Sequence, residues 1–373
     1  MFRGGQIRYH CGMKHVLALT LLALPVVAAE PRSLGFAVTS WNTAMHESRF
    51  QDECPEGMNP SNLTVWYSTL PPDVRRKLPI VNATELRMAN MRGPNGEDVC
   101  VYPLSVKDPP LRIVEGKYSY GLNLDGDANG AATTKTCRHD NFTGLNGEAG
   151  IDNQMYRLFG CVYAWRSWGH IENNANAHRL AGGLGMVLIE VTGVDDELND
   201  DAVEVGFYRG VDPFTLDSAG KVLPWSSYAI DAHDGRVRYG DVVKGRIKDG
   251  VVTTDAADVS LPFYGNYQFQ NQLIRDMRLE LKLSPDGSAA SGLVGGYYDV
   301  EQTYSYVRGM LGAFPNTQQF SCPGIYVAAH ELADGHPDPT TGKCTTLSGA
   351  FKFEAVAAFL NRPTPETDIA AAP

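Results

Sequence analysis

Beyond its first thirty residues the chain has no apolar run near the roughly 20 residues of a comfortable membrane span. It has no Cys-x-x-Cys, which argues against a zinc site built on thiolates. Gly-x-Ser-x-Gly, the Walker loop, the dinucleotide fingerprint and the Cys-x-x-Cys-His haem motif are absent too. Those absences count against a common serine esterase, an NTPase, a dehydrogenase and a c-type cytochrome. No internal repeat occurs. Positive charge is in the minority, with 32 Lys and Arg against 43 Asp and Glu and a net charge of −11. Such a surface repels phosphate backbones and anionic headgroups, so nucleic acid and anionic membranes are not expected partners.

What is present begins with an export signal. Met13-Lys14-His15 is a short basic start, Val16 to Leu24 is apolar, and Pro25 to Ala29 ends in small residues. This three-part pattern reads as a secretory signal spanning 1–29, cleaved after Ala29, with Met13 as the expected true start. Cleavage removes three basic residues and no acids, so the net charge moves from −11 to −14. The mature chain is expected in the periplasm or secreted, with no transmembrane segment.

Six cysteines remain after cleavage: Cys54, Cys100, Cys137, Cys161, Cys322 and Cys344. An even count in an exported chain reads as disulfides. Spacing alone leaves fifteen pairings open. Local closure is the simplest, which gives Cys54–Cys100, Cys137–Cys161 and Cys322–Cys344 as the expectation.

Residues 30–110 mix short apolar runs (Gly35 to Val38, Thr64 to Tyr67) with Pro, Asn and Gly clusters. They read as an irregular N-terminal region of short strands and long loops. From 111 to 361 a β-rich core domain is expected. Gly185 to Val191, Val203 to Tyr208, Met277 to Leu283 and Ala290 to Tyr298 read as strands, the last two joined by a turn at Ser284-Pro285-Asp286-Gly287. Asn153 to Trp165 and Pro323 to Ala333 have helical spacing, and Gly349 to Leu360 fits either a helix or a closing strand. Residues 362–373, rich in Pro, Thr and Ala, are expected to be a disordered tail. The fold class expected is mainly β: an antiparallel sandwich or jelly-roll-like core with a few short helices and long disulfide-stapled loops.

Asp125-Gly126-Asp127-Ala128-Asn129-Gly130 is the strongest local signal of chemistry. Oxygen ligands at positions one, three and five with Gly at six match the first half of a calcium loop. Position twelve is Thr136 instead of a bidentate Glu, so this is not an EF-hand. The missing carboxylates are sought in Asp140, Glu148 and Asp152. The expected set is Asp125, Asp127, Asn129, Glu148 and Asp152 around a structural Ca2+. The plain alternative is a chain of Asx turns. A second acidic cluster, Asp195 to Asp201, reads as a solvated turn between two strands.

Asp299 and Glu301 carry the enzyme reading. Two apart on a strand, they would share one face, as paired carboxylates in glycoside hydrolysis must converge. The alternative is an exposed edge of an acidic protein. His330 to His336 lacks a second His four residues after the first, so a zincin helix is not expected. Trp165, Arg166, Trp168 and His170 read as packing against the calcium region.

Cys137-x-His139-x-x-Phe142 followed by Gly150-Ile151-Asp152-Asn153-Gln154, with Cys322-Pro323 and Asp338-Pro-Thr-Thr-Gly342-Lys-Cys344, resembles a group of exported proteobacterial proteins. The resemblance implies export and no particular reaction. The function expected is a calcium-stabilised binding or accessory protein, for a glycan or another envelope protein. A polysaccharide hydrolase using Asp299 and Glu301 is the alternative.

Overall fold

Alternation along the strands sets the architecture. In Gly240–Lys248, Val243 and Ile247 are buried while Lys244, Arg246 and Lys248 face solvent. A strand with that period has one dry face and one wet one, and must lay the dry face on a shared core. The computed structural model describes residue 1 and residues 31–77, 92–182, 185–265, 268–313 and 320–363. The expected signal (apart from Met1) and the tail beyond Pro363 lie outside the described residues.

The strands are β1 (Arg32–Thr43), β2 (Val187–Val194), β3 (Asn199–Arg209), β4 (Ser226–Ala229), β5 (Ala232–His233), β6 (Arg236–Val237), β7 (Gly240–Lys248), β8 (Val251–Thr254), β9 (Ala257–Gly265), β10 (Gln268–Leu283), β11 (Ala289–Asp299), β12 (Gly335–Pro337) and β13 (Cys344–Asn361). Around the main sheet the order is β1-β2-β3-β7-β8-β10-β11-β13, and β13 pairs back onto β1. Every pairing on this circuit is antiparallel. The core is therefore a closed eight-stranded barrel, which corrects the sandwich or jelly-roll expectation. Alternation looks the same in both, since each buries every second residue. Closure depends on bent strands, and register shifts at Val38/Ser40, Asp200/Val203 and Arg275/Arg278 supply bends.

Eight strands leave an interior just wide enough for side chains. Phe36, Ile189 and Phe207 lie opposite one another across β1, β2 and β3, and Val38 and Ala355 form the next layer. A second apolar cluster sits on the outer wall, where Ala37, Leu188, Tyr208 and Ala358 meet Phe214, Tyr228 and Ile230 from the excursion after β3. β4 runs parallel to the end of β13 there.

β1 closes the barrel, so the expected irregular N-terminal region contributes a full stave. Thr64 to Tyr67, read as a strand, lies instead in a helix. The helices are α1 (Phe50–Glu53), α2 (Asn62–Thr69), α3 (Pro72–Lys77), α4 (Gln154–Phe159), α5 (Ile171–Gly182), α6 (Val300–Ala313) and α7 (Cys322–Glu331). Ser61 starts α2 by accepting a hydrogen bond from Thr64 N, and this cap overrides a local β-branched and aromatic preference. No helix among the described residues is long and apolar enough to cross a membrane.

The bridges are Cys54–Cys161, Cys100–Cys322 and Cys137–Cys344, across sequence separations of 107, 222 and 207. All six cysteines are paired as expected, but none of the local pairings is made. The barrel brings distant segments together, so nearness along the chain is a poor guide here. Three bridges fit an oxidising compartment outside the cytoplasm.

Candidate metal centre

The segment around Asn123 and Leu124, ahead of α4, is held against the barrel wall by a side chain from β10. A bulge in β10 places Asp276 out of register, with φ 47°, and turns Arg278 toward the loop. Arg278 donates from Nη1 to Asn123 O (2.7 Å) and from Nη2 to Leu124 O (2.9 Å). Beside the loop, Cys137 N donates to Asp334 O, and Thr136 bridges to Gly335 at the edge of β12. The Cys137–Cys344 bridge secures this edge to β13.

Within that frame Asp125, His139 and Asp152 converge, with one ligand atom of each inside 4.8 Å of the others. Asp152 is fully buried, and its Oδ2 accepts from Leu124 N (2.7 Å) and Asp125 N (3.3 Å). Its Oδ1 lies 2.9 Å from His139 Nε2. His139 Nδ1 lies 2.8 Å from Cys137 O, an atom that can only accept, so Nδ1 carries a proton. Nε2 donates to the Asp152 carboxylate, so a metal ion held here would take the place of that proton. The left-handed turn at Gly130 (φ +65°) brings the two halves together, and any Cβ there would come 1.9 Å from His139 O.

Buried acceptors in this region go unsatisfied. Asp125 Oδ2, Asn141 Oδ1, Asp334 Oδ2 and the Tyr297 hydroxyl are buried without hydrogen-bond partners. Each such group ordinarily costs about 1–3 kcal/mol. Burial is the largest influence on Asp125 and raises its pKa, with Asp152 pushing the same way. Burial also lifts Asp334 to about 7, against the hydrogen bond from Ser348 N. For His139 burial alone would favour the neutral ring. The Asp152 and Cys137 hydrogen bonds and the charge of Asp334 outweigh it and bring the pKa to about 9. The concentration of negative groups around one imidazole favours any cation, whether a proton or a metal ion.

The five expected ligands divide. Asp125 and Asp152 are brought together. Asp127 is not, since its Oδ2 accepts from Ala131 N (2.6 Å) and closes its own turn. Asn129 is exposed. Glu148 is exposed as well and accepts from Asn146 within a separate turn. His139 was missed although it stands two residues after Cys137, and a lone His among Asp and Asn was the available signal. Asp195 to Asp201 runs from the β2–β3 turn into the start of β3, with Asp196 and Asp200 accepting from backbone N–H groups.

Asp299 and Glu301 do not share a strand face. β11 ends at Asp299, whose Oδ1 accepts from Gln302 N at the start of α6 (2.8 Å). Glu301, already helical, meets Tyr326 and His330 of α7 at 3.1 Å each. Trp165 and Arg166 are buried, Arg166 in an ion pair with Glu53, whereas Trp168 is half exposed.

Fold and site together define a disulfide-bonded eight-stranded barrel with a buried Asp-His-Asp group able to hold a metal. Comparisons with protein-family profiles, with curated proteins and with solved structures find no match.

Proposed function

We propose that this is an exported, non-catalytic binding or accessory protein of the envelope or the surrounding medium, stabilised by one divalent metal ion at Asp125, His139 and Asp152. The unpartnered, buried Asp125 Oδ2, beside a histidine whose Nε2 would exchange its proton for the ion, carries the reading. One imidazole nitrogen with two carboxylates suits a borderline ion such as zinc better than calcium, which wants six to eight oxygens. Asp334 stands close enough to add charge. The ion would tie the 121–152 segment to itself and, through Arg278, to the barrel wall. Asp152 is fully buried and tied to the backbone of Leu124 and Asp125, which suits a structural role for the ion. A glycan or another envelope protein is the ligand class expected of the outer surface. The hydrolase alternative loses the shared strand face on which Asp299 and Glu301 were paired.

The test is thermal unfolding of the purified mature protein after chelation, then with added Zn2+ or Ca2+, alongside metal analysis of the untreated protein. Zinc at a hundred times its dissociation constant should stabilise by about 2.7 kcal/mol. Asp125→Ala and His139→Ala should each abolish the response. A shift with calcium alone would restore the oxygen-ligand reading. Without a response to either ion, His139 and Asp152 would be a plain buried ion pair.

A further inference from the structure

A cavity of about 60 Å3 lies where one end of the barrel meets the helices, and none of the Asp125, His139 and Asp152 side chains lines it. Its walls are aromatic: Trp41 from β1, Phe351 from β13, Phe159, Trp165 and Tyr306. Trp41 stacks on Phe351 with centroids 5.8 Å apart, and Phe159 on Trp165 at 3.9 Å. These contacts hold the rings in place as fixed walls.

Polar groups are few and specifically placed. Glu172, in the first turn of α5, lines the cavity and accepts from Thr43 N through Oε1 (2.6 Å). Thr43 Oγ1 is itself engaged by Trp165 Nε1 at 3.2 Å, so the residue that orients the carboxyl is fixed by one of the wall rings. Among the described residues Glu172 forms no ion pair. Thr303 is 7% exposed, lines the same cavity, and its Oγ1 has no hydrogen-bond partner. Gln270 and Gln272 bring two amides from β10.

We infer that this cavity binds a small organic cation, an alkylated ammonium group whose methyls pack on the rings and whose charge is met by Glu172. The chemistry of the walls selects it. Aromatic faces attract a cation through their quadrupoles, most strongly when water is excluded, and a carboxylate supplies the counter-charge. A neutral apolar molecule would fill the space but bring the acid no counter-charge. An anion would face the acid directly. Burial drives Glu172 up to about 8, against its hydrogen bonds with Thr43 and with Glu47 pushing the same way, and a cation seated against it would offset that cost. Arg179, about two turns further along α5, lies in an adjoining smaller cavity and donates to Asn176 Oδ1 (2.6 Å). It therefore bounds the site and does not fill it.

This inference does not rest on the metal centre, and its test can fail separately. Calorimetric titration of the full mature protein with tetramethylammonium and choline is set against the uncharged carbon isostere 3,3-dimethyl-1-butanol. The cations should bind at least tenfold tighter than the isostere. Glu172→Gln should erase that preference while keeping the cavity's shape. Ala175→Val, which intrudes on the cavity and leaves the acid in place, should weaken all three. Circular dichroism and intact disulfides establish that each variant is folded. Equal binding of cation and isostere would overturn the charge assignment. No binding of any probe would overturn the site and leave a packing void.

Discussion

At the scale of single residues, the groups whose environment opposes their charge say most about this protein. Glu172 ordinarily titrates near 4.5 but is pushed up to about 8 by burial. The folded state thus holds a proton that the unfolded state gives up. Stability from this group is full below pH 4.5 and is lost as pH rises through 8, because the unfolded chain binds fewer protons throughout that window. Urea unfolding at intervals between pH 5 and 8.5 should show the wild type losing stability relative to Glu172→Gln as pH rises. A constant difference would mean that the carboxyl is solvated. His139 is the opposite kind of residue: burial works against its charge, yet its hydrogen-bonded surroundings hold it charged up to about 9. Neither property can be seen in a residue's name. The sequence marked Asp125 and Asp152 as ligands because their spacing suggested a loop, and passed over His139 because nothing in a one-dimensional pattern says that Cys137 O fixes its ring.

At the scale of elements, Gly130 tests whether the loop or the strands organise the candidate centre. Gly130→Ala places a Cβ against His139 O and forces a left-handed residue to carry a side chain. It should cost about 1–3 kcal/mol and blunt the response to metal, without touching any ligand. Equal metal responses in variant and wild type would mean that the strands alone position the group. Strands were the legible elements. The alternation in Val203 to Tyr208 and Met277 to Leu283 places β3 and β10 correctly, and the turn at Ser284 to Gly287 joins β10 to β11. Gly349 to Leu360, ambiguous from periodicity, is part of β13, a strand so central that its neighbours on both sides bury it. Local reading failed where a tertiary or capping contact decides. Thr64 to Tyr67 has strand-forming residues but begins a capped helix, and Asp299-Val300-Glu301 spans a strand end and a helix start.

For the molecule as a whole, closure and cross-linking were the least legible features, because both are made between segments far apart in sequence. Pairing of β1 with β13 depends on the twist and bends of eight strands together, not on any window of residues. The cysteine count was readable, while the partners were decided by where the barrel carries each residue. Peptide mapping without reduction should recover Cys54–Cys161, Cys100–Cys322 and Cys137–Cys344. Replacing Cys100 and Cys322 by Ser should cost about 3–5 kcal/mol in urea unfolding, since that bridge closes the longest loop. A loss near zero would mean that the unfolded chain keeps these segments together without it.

The junction of β1 and β13 has one more consequence, in time instead of space. A chain made from its N-terminus delivers Cys54, Cys100 and Cys137 before any of their partners. β1 emerges with one edge committed to a strand at the opposite end of the sequence. The molecule cannot finish folding by accretion. Cys54 can pair once Cys161 is out and Cys100 once Cys322 is, but Cys137 and the open edge of β1 must wait for the last strand, which completes the ring.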